Sequence, residues 1–125
     1  MKIFTWTLRL SVALILLQTL YFKFTAQPES VYIFSTVNME PWGRWISGCV
    51  EMIASILLLL NSKAGLGAFI SFSTMSGALF FHLTTLGIEV QGDGGLLFSM
   101  ALYCWLASVF LIWTYRKQIP IINNI

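Results

Sequence analysis

Apolar residues run along this chain in four long blocks. Polar residues are confined to the gaps between the blocks and to narrow stripes inside them. A helix needs about 20 mostly apolar residues to cross the hydrocarbon of a bilayer. Residues 4–22, 45–60, 64–86 and 96–115 meet or approach that length. The first block contains Leu10-Ser11-Val12-Ala13-Leu14-Ile15-Leu16-Leu17, and the second ends in Leu57-Leu58-Leu59-Leu60. Asn61-Ser62-Lys63 with Gly65 predicts a tight turn between the second and third blocks, and Gly87 with Gln91-Gly92-Asp93-Gly94-Gly95 a short polar loop before the fourth. Short connections join antiparallel neighbours. The pattern predicts an all-α, membrane-embedded four-helix bundle that forms one domain over residues 1–125.

The first connection is longer and has its own pattern. Pro28-Glu29-Ser30 looks like a helix start, and Val31-Tyr32-Ile33-Phe34 and Val37 follow it. This predicts a short amphipathic helix lying at the membrane surface in the first outer loop. Met39-Glu40-Pro41-Trp42-Gly43 then turns the chain back into the membrane.

Composition makes the membrane reading hard to avoid. Hydrophobic residues are 58% of the chain and charged residues 10%, whereas a soluble domain is nearer 45–50% apolar and about a quarter charged. So few charges cannot cover the large surface of a short soluble chain. Lipid must face most of it. A net charge of +2, with no basic cluster, excludes nucleic acid as a partner. Met1-Lys2 and the run after it resemble a secretory signal. However, Lys23-Phe24-Thr25-Ala26 puts a cation and an aromatic where cleavage needs small residues, so an uncleaved first span is expected.

Lysine and arginine set the expected orientation. Lys2, Arg9, Lys63, Arg116 and Lys117 fall on one side, and Lys23 and Arg44 on the other with Glu29, Glu40, Glu89 and Asp93. The basic excess predicts a multi-pass protein of the cell (inner) membrane with both termini cytoplasmic. Most tryptophans sit near predicted interfaces; Trp105 is in mid-span.

Ionisable groups inside a membrane helix are costly and are candidate functional residues. Arg9 and Lys23 are close enough to the span ends to snorkel. Glu51 and His82 are deeper. Arg44, Ser47, Gly48, Glu51, Ser55 and Ser62 recur at helical offsets and form a polar stripe on the second span. Ala64, Ser71, Met75, Ala78 and His82 share a face of the third, where small residues allow close helix approach. Ala101, Cys104 and Ser108 share a face of the fourth, flanked by Ser99 and Tyr103. By helical rise Lys23, Glu51, His82, Ser99 and Tyr103 can meet in the outer half of the bundle. Such a cluster is either a polar knot that locks the bundle or a site for a small molecule, a proton or a quinone headgroup.

Other chemistry is missing from the sequence. There is no GxGxxG, P-loop, HExxH or GxSxG. A single histidine is poor evidence for metal or haem, so no metal site is expected and a quinone is the one cofactor considered. Cys49 and Cys104 form no CxxC and are expected to be buried free thiols.

Taken together, Arg9 early in the first span, Tyr21-Phe22-Lys23 at its end, Phe34, Met39-Glu40-Pro41, Glu51 and His82 resemble the DoxX family of small four-helix membrane proteins. That family usually has a glycine shortly before the lysine, where this chain has Leu20 and Tyr21. The resemblance implies the four-helix fold and singles out Lys23, Glu51 and His82. It also implies an association with redox complexes, including thiosulfate oxidation to quinone and oxidative-stress defence, or, from distant animal relatives, with assembly of other membrane proteins. Methylamine-utilisation relatives carry cysteine motifs that this chain lacks. The expected function is therefore an accessory subunit of a membrane redox or transport complex, embedded in lipid and joined to other membrane subunits or to itself. A small-solute carrier or channel and a quinone-linked oxidoreductase are the alternatives. Reporter fusions at Ile125 and in the Gln91–Gly95 loop should give opposite signals. Equal signals would contradict the four-span topology.

Overall fold

The computed structural model describes residues 2–25, 28–40, 42–88 and 95–119. Its helices are α1 (Lys2–Phe24), α2 (Pro28–Thr36), α3 (Trp42–Leu59), α4 (Ala64–Phe81) and α5 (Leu96–Thr114). A π-helical turn, His82–Leu86, continues α4, and a 3₁₀ turn, Arg116–Gln118, follows α5. Among the described residues four helices are long and apolar enough to cross a membrane: Ile3–Phe24, Trp42–Leu59, Ala64–Leu86 and Leu96–Thr114. The chain is a multi-pass membrane protein built as a four-helix bundle.

The helix bounds differ from the sequence reading where local contacts extend a helix. α3 starts three residues early because the Gly43 amide already donates to Met39 O at 2.6 Å. Proline needs no amide partner at a first helical position, and α2 begins at Pro28 as its sequence suggests. Pro41 and residues 89–94 of the expected polar loop lie outside the described residues. At that loop's two edges, Gly87 and Gly95 hold φ of 82° and 87°, a left-handed backbone that glycine adopts without a Cβ clash.

Neighbouring spans pack in a ring, α1 on α3, α3 on α4, α4 on α5, with α5 closing more sparingly on α1. We call the end where α1 starts and α3 turns into α4 proximal, and the end bearing α2 distal. The core holds Val12, Leu16, Ala54, Leu58, Ala68, Met75, Cys104 and Leu111, all buried. Outward positions are as apolar as the core: Leu14, Ile46, Ile56, Leu83 and Leu106 are exposed. A water-soluble monomer does not present apolar surface so continuously; lipid does not penalise it.

With lipid as solvent, burial of apolar surface does not drive helices together, so close packing and hydrogen bonds between helices must. Ser108 donates to Ser71 Oγ at 3.0 Å, and Trp105 Nε1 donates to Ser76 Oγ at 2.9 Å while its ring stacks on Phe72. The mid-span Trp105 thus has a polar partner of its own. Cys104 is buried and Cys49 is exposed, and both are free. Cys49 therefore corrects the expectation of two buried thiols: it lies on the outward side of α3, away from the Glu51 stripe.

Arg9 is a second correction. It points toward the proximal end, as snorkelling requires, but protein rather than interface encloses it, and it is 1% exposed. Nε donates to Leu58 O at 2.6 Å and Nη1 to Asn61 Oδ1 at 3.3 Å, with the Trp6 ring 3.7 Å from the guanidinium. Arg9 ties α1 to the α3–α4 turn, where carbonyls at the end of α3 lack helical partners.

At Gly67, α4 meets α3 backbone to backbone. A Cβ there would lie 2.7 Å from Leu58 N and 3.0 Å from Ala54 O. A Cβ at Gly77 would meet nothing within 4 Å. Gly67→Ala should therefore push the helices apart and cost about 1–3 kcal/mol, the usual range for overpacking. Gly77→Ala should leave stability unchanged or raise it by up to about 1 kcal/mol, through helix propensity. Thermal melts of both variants in one detergent test this; equal melting temperatures would contradict the close approach.

Candidate functional site

The distal half of the bundle encloses a cavity of about 240 Å³. Every span contributes to its wall. α1 supplies Thr19, Phe22 and Lys23, α3 Ser47 and Glu51, α4 Thr74, Met75, Gly77 and Phe81, and α5 Leu97, Met100 and Ala101. α2 covers it with Ile33 and Phe34, and Val37 in the turn after α2 adds to the cover. Most of this wall is apolar; hydrogen bonds join Thr19, Lys23, Ser47 and Glu51 where α1 meets α3, while Thr74 and His82 come from α4 and the turn that continues it.

Lys23 Nζ donates to Glu51 Oε1 in a direct ion pair between α1 and α3. Glu51 is 2% exposed and lies nine residues into α3, roughly 14 Å along the helix axis. At such a position an isolated carboxylate costs about 2.5–3.5 kcal/mol or more. Lys23 solves this by its place at the end of α1: its long side chain runs back along the helix to reach Glu51. It also donates to Ser47 Oγ at 3.1 Å.

The remaining hydrogen-bonding capacity is uneven. Thr19 has one hydroxyl proton, within reach of Leu16 O at 2.7 Å and of Glu51 Oε2 at 3.2 Å. Oε2 is therefore the less committed oxygen. Lys23 has three protons, two of them directed at Glu51 and Ser47, and the Phe34 ring stands 5.5 Å from its nitrogen. His82 Nδ1 lies 2.9 Å from Gly87 O. A carbonyl only accepts, so Nδ1 carries the proton, and Nε2 is left as the ring's other hydrogen-bonding atom. Phe98 packs edge-on against the ring at 5.6 Å. His82 opens the π-helical turn, a distortion that re-aims side chains and is frequent at functional sites.

A separate brace fixes this arrangement from the distal side. Arg44 is paired with Glu40 through Nε and Nη2, at 2.9 and 2.6 Å to Oε1. Its Nη1 donates to Lys23 O, a carbonyl in the last turn of α1. The residue that carries the cation is thus held by its backbone as well as by its side chain.

Of the sequence-predicted residues, Lys23, Glu51 and His82 line one cavity, but His82 is bonded to Gly87 and to neither of the other two. Ser47 joins the pair directly, Arg44 through Lys23 O, and Ser55 through its bond to Glu51 O at 2.8 Å. Ser99 and Tyr103 do not join, which corrects that expectation. Both are exposed, and the Tyr103 hydroxyl bonds Ser11 on the outward side of α1 and α5. Their offset from the Ala101–Cys104–Ser108 face turned them away, although their depth was suitable. Sequence reasoning missed Thr19, which is four residues before Lys23 and so on the same helix face, and it named Glu40 without pairing it with Arg44, four residues on. Both spacings were visible. Among the described residues no group of three or more His, Cys, Asp or Glu could hold a metal ion.

A family model, DoxX, matches residues 4–84. The chain belongs to the DoxX family. The DoxX match runs from α1 to the π-helical turn, so Lys23, Glu51 and His82 all lie within it and α5 lies beyond it. No curated protein and no solved structure matches the chain.

Removing one member of a buried pair strands the other, at a cost of about 3–5 kcal/mol. Lys23→Met and Glu51→Gln should each destabilise this DoxX protein by that order. The double variant should recover most of the loss, because neither charge is then stranded. Unfolding in detergent, analysed as a double-mutant cycle, measures the coupling. Additive losses would contradict a direct pair.

Proposed function

We propose that this DoxX member is an accessory subunit of a membrane redox or transport complex, and that its own part is to hold a small molecule in the distal cavity against Lys23, Glu51 and His82. The observation that carries this reading is a largely apolar cavity of about 240 Å³ with a buried ion pair on its wall. A pair needed only to lock the bundle would leave no space beside it. Here space adjoins Lys23, Glu51 and His82.

The absence of a catalytic motif from these residues favours an accessory role over an independent enzyme. Its apolar outer surface offers broad area for other subunits or for a second copy, besides lipid. A carrier or channel is the weaker reading, because Leu16, Leu58, Ala68, Met75 and Leu111 pack the bundle closed on the proximal side of the cavity. His82 and Glu51 on one cavity wall also suit a quinone headgroup, which is the form this site would take in a quinone-linked oxidoreductase. The basic residues favour a location in the cell membrane with both termini cytoplasmic, which puts the cavity in the outer half.

Purification from native membranes in mild detergent, with mass spectrometry of the extract, tests both parts. A stoichiometric membrane partner and a retained small molecule are expected. Glu51→Gln should keep the partner and lose the molecule. Retention of the same molecule by that variant would contradict the site, and a solitary chain in the wild-type preparation would contradict the accessory role.

A further inference from the structure

We infer that the cavity takes its ligand sideways from the bilayer, through a gap at Gly77, and that the ligand is an amphiphile with an uncharged, ring-sized polar head and an apolar tail. This rests on the proposed binding role and adds the route and the chemical class.

The route follows from Gly77. It is exposed on the outside of α4 and is also part of the cavity wall, and nothing lies within 4 Å of where its Cβ would be. The cavity therefore reaches the bundle surface there. Gly67, Thr74 and Phe81 recur every seven residues along one flank of α4, the flank that meets α3 at Gly67, and Gly77 lies beside that row. At Gly67 the two helices touch through their backbones; ten residues further on, no side chain fills the space. Phe22, on α1, is the other exposed wall residue, at 36%, and unlike Gly77 it carries a large side chain at that position. Gly77 lies nine residues before Leu86, roughly 13 Å inside that end of the span. Exposed Phe80 and Leu83 are on the same helix. An opening at that depth faces hydrocarbon. On the distal side, where water would arrive, α2 and the turn after it lay Ile33, Phe34 and Val37 over the cavity.

The class follows from size and charge. A dry apolar cavity of about 150 Å³ holds benzene, so about 240 Å³ holds a substituted ring but not a lipid tail. The tail must stay outside, and the Gly77 gap lets it lie in the bilayer. The charges of Lys23 and Glu51 cancel in their own pair, so a charged head would strand an ion in a low-dielectric site. What the pair and His82 still offer is one donor on Lys23, an acceptor at Glu51 Oε2 and a hydrogen-bonding atom at His82 Nε2. Hydroxyl or carbonyl groups on a ring meet that set without bringing charge.

His82 is the chain's one histidine, so imidazole ¹⁵N signals report the head site without ambiguity. Labelled protein in nanodiscs would be titrated with phenol and with 4-decylphenol, which share a head and differ in the tail. Both should move the His82 signal in the wild type. Gly77→Leu should weaken 4-decylphenol tenfold or more relative to the wild type in the same lipid, and leave phenol within about twofold. Gly77→Ala, for which the cavity has room, should move 4-decylphenol in the same direction by less, and it carries the comparison if the leucine variant fails to fold. Unchanged affinity for both probes in the Gly77 variants would overturn the side route while leaving the site standing. No His82 response to either probe in the wild type would overturn the site, and the route with it.

Discussion

A carboxylate buried in a membrane helix has to be matched by a cation, and in this chain that requirement organises half the molecule. Glu51 sits two and a half turns into α3, where neither water nor a helix end can satisfy it. Lys23 reaches it from the end of α1. For the two to meet, α1 and α3 must be antiparallel neighbours in one register, and the end of α1 must not fray. The Arg44 bond to Lys23 O secures that end, and Glu40 holds Arg44 in turn. The polar residues at the distal end thus form a chain of dependence that finishes at one ion pair.

The proximal half is built on a different principle. There the helices approach through small residues, with Gly67 against the backbone of Leu58 and Ala54, and Arg9 stitches α1 to the α3–α4 turn. Close packing at this end and its absence at Gly77 produce the cavity: α3 and α4 are pinned where they join and leave space where Glu51 and His82 need it. Stability and binding therefore draw on opposite ends of one helix pair. Changes near Gly67 should act on folding, and changes near Gly77 on occupancy.

The spans were legible because lipid imposes a length and an apolar composition that soluble folds do not share. The buried stripe of α3 was legible for a related reason: Arg44, Ser47, Glu51 and Ser55 at helical spacing have no place in lipid. Depth alone was a poorer guide. Ser99 and Tyr103 lie at a suitable depth but face outward, since Tyr103 is one residue from Cys104 and Ser99 two from Ala101, offsets that turn both off the buried face of α5. Arg9 looked free to reach the interface because the sequence does not show that α3 ends beside it. The cavity itself could not be read from the chain, because it depends on how far α4 stands from α3 beyond Gly67.

The central claim is that Lys23 and Glu51 are both charged and in contact inside the bundle. Solid-state NMR in bilayers, with ¹⁵N on lysine side chains and ¹³C on glutamate carboxyls, measures it most directly. The account requires a strong dipolar coupling between one ammonium and one carboxyl, absent in Lys23→Met and in Glu51→Gln, with the coupled carboxyl at a chemical shift of the ionised form. A protonated Glu51, or no lysine–glutamate coupling that either substitution removes, would contradict it.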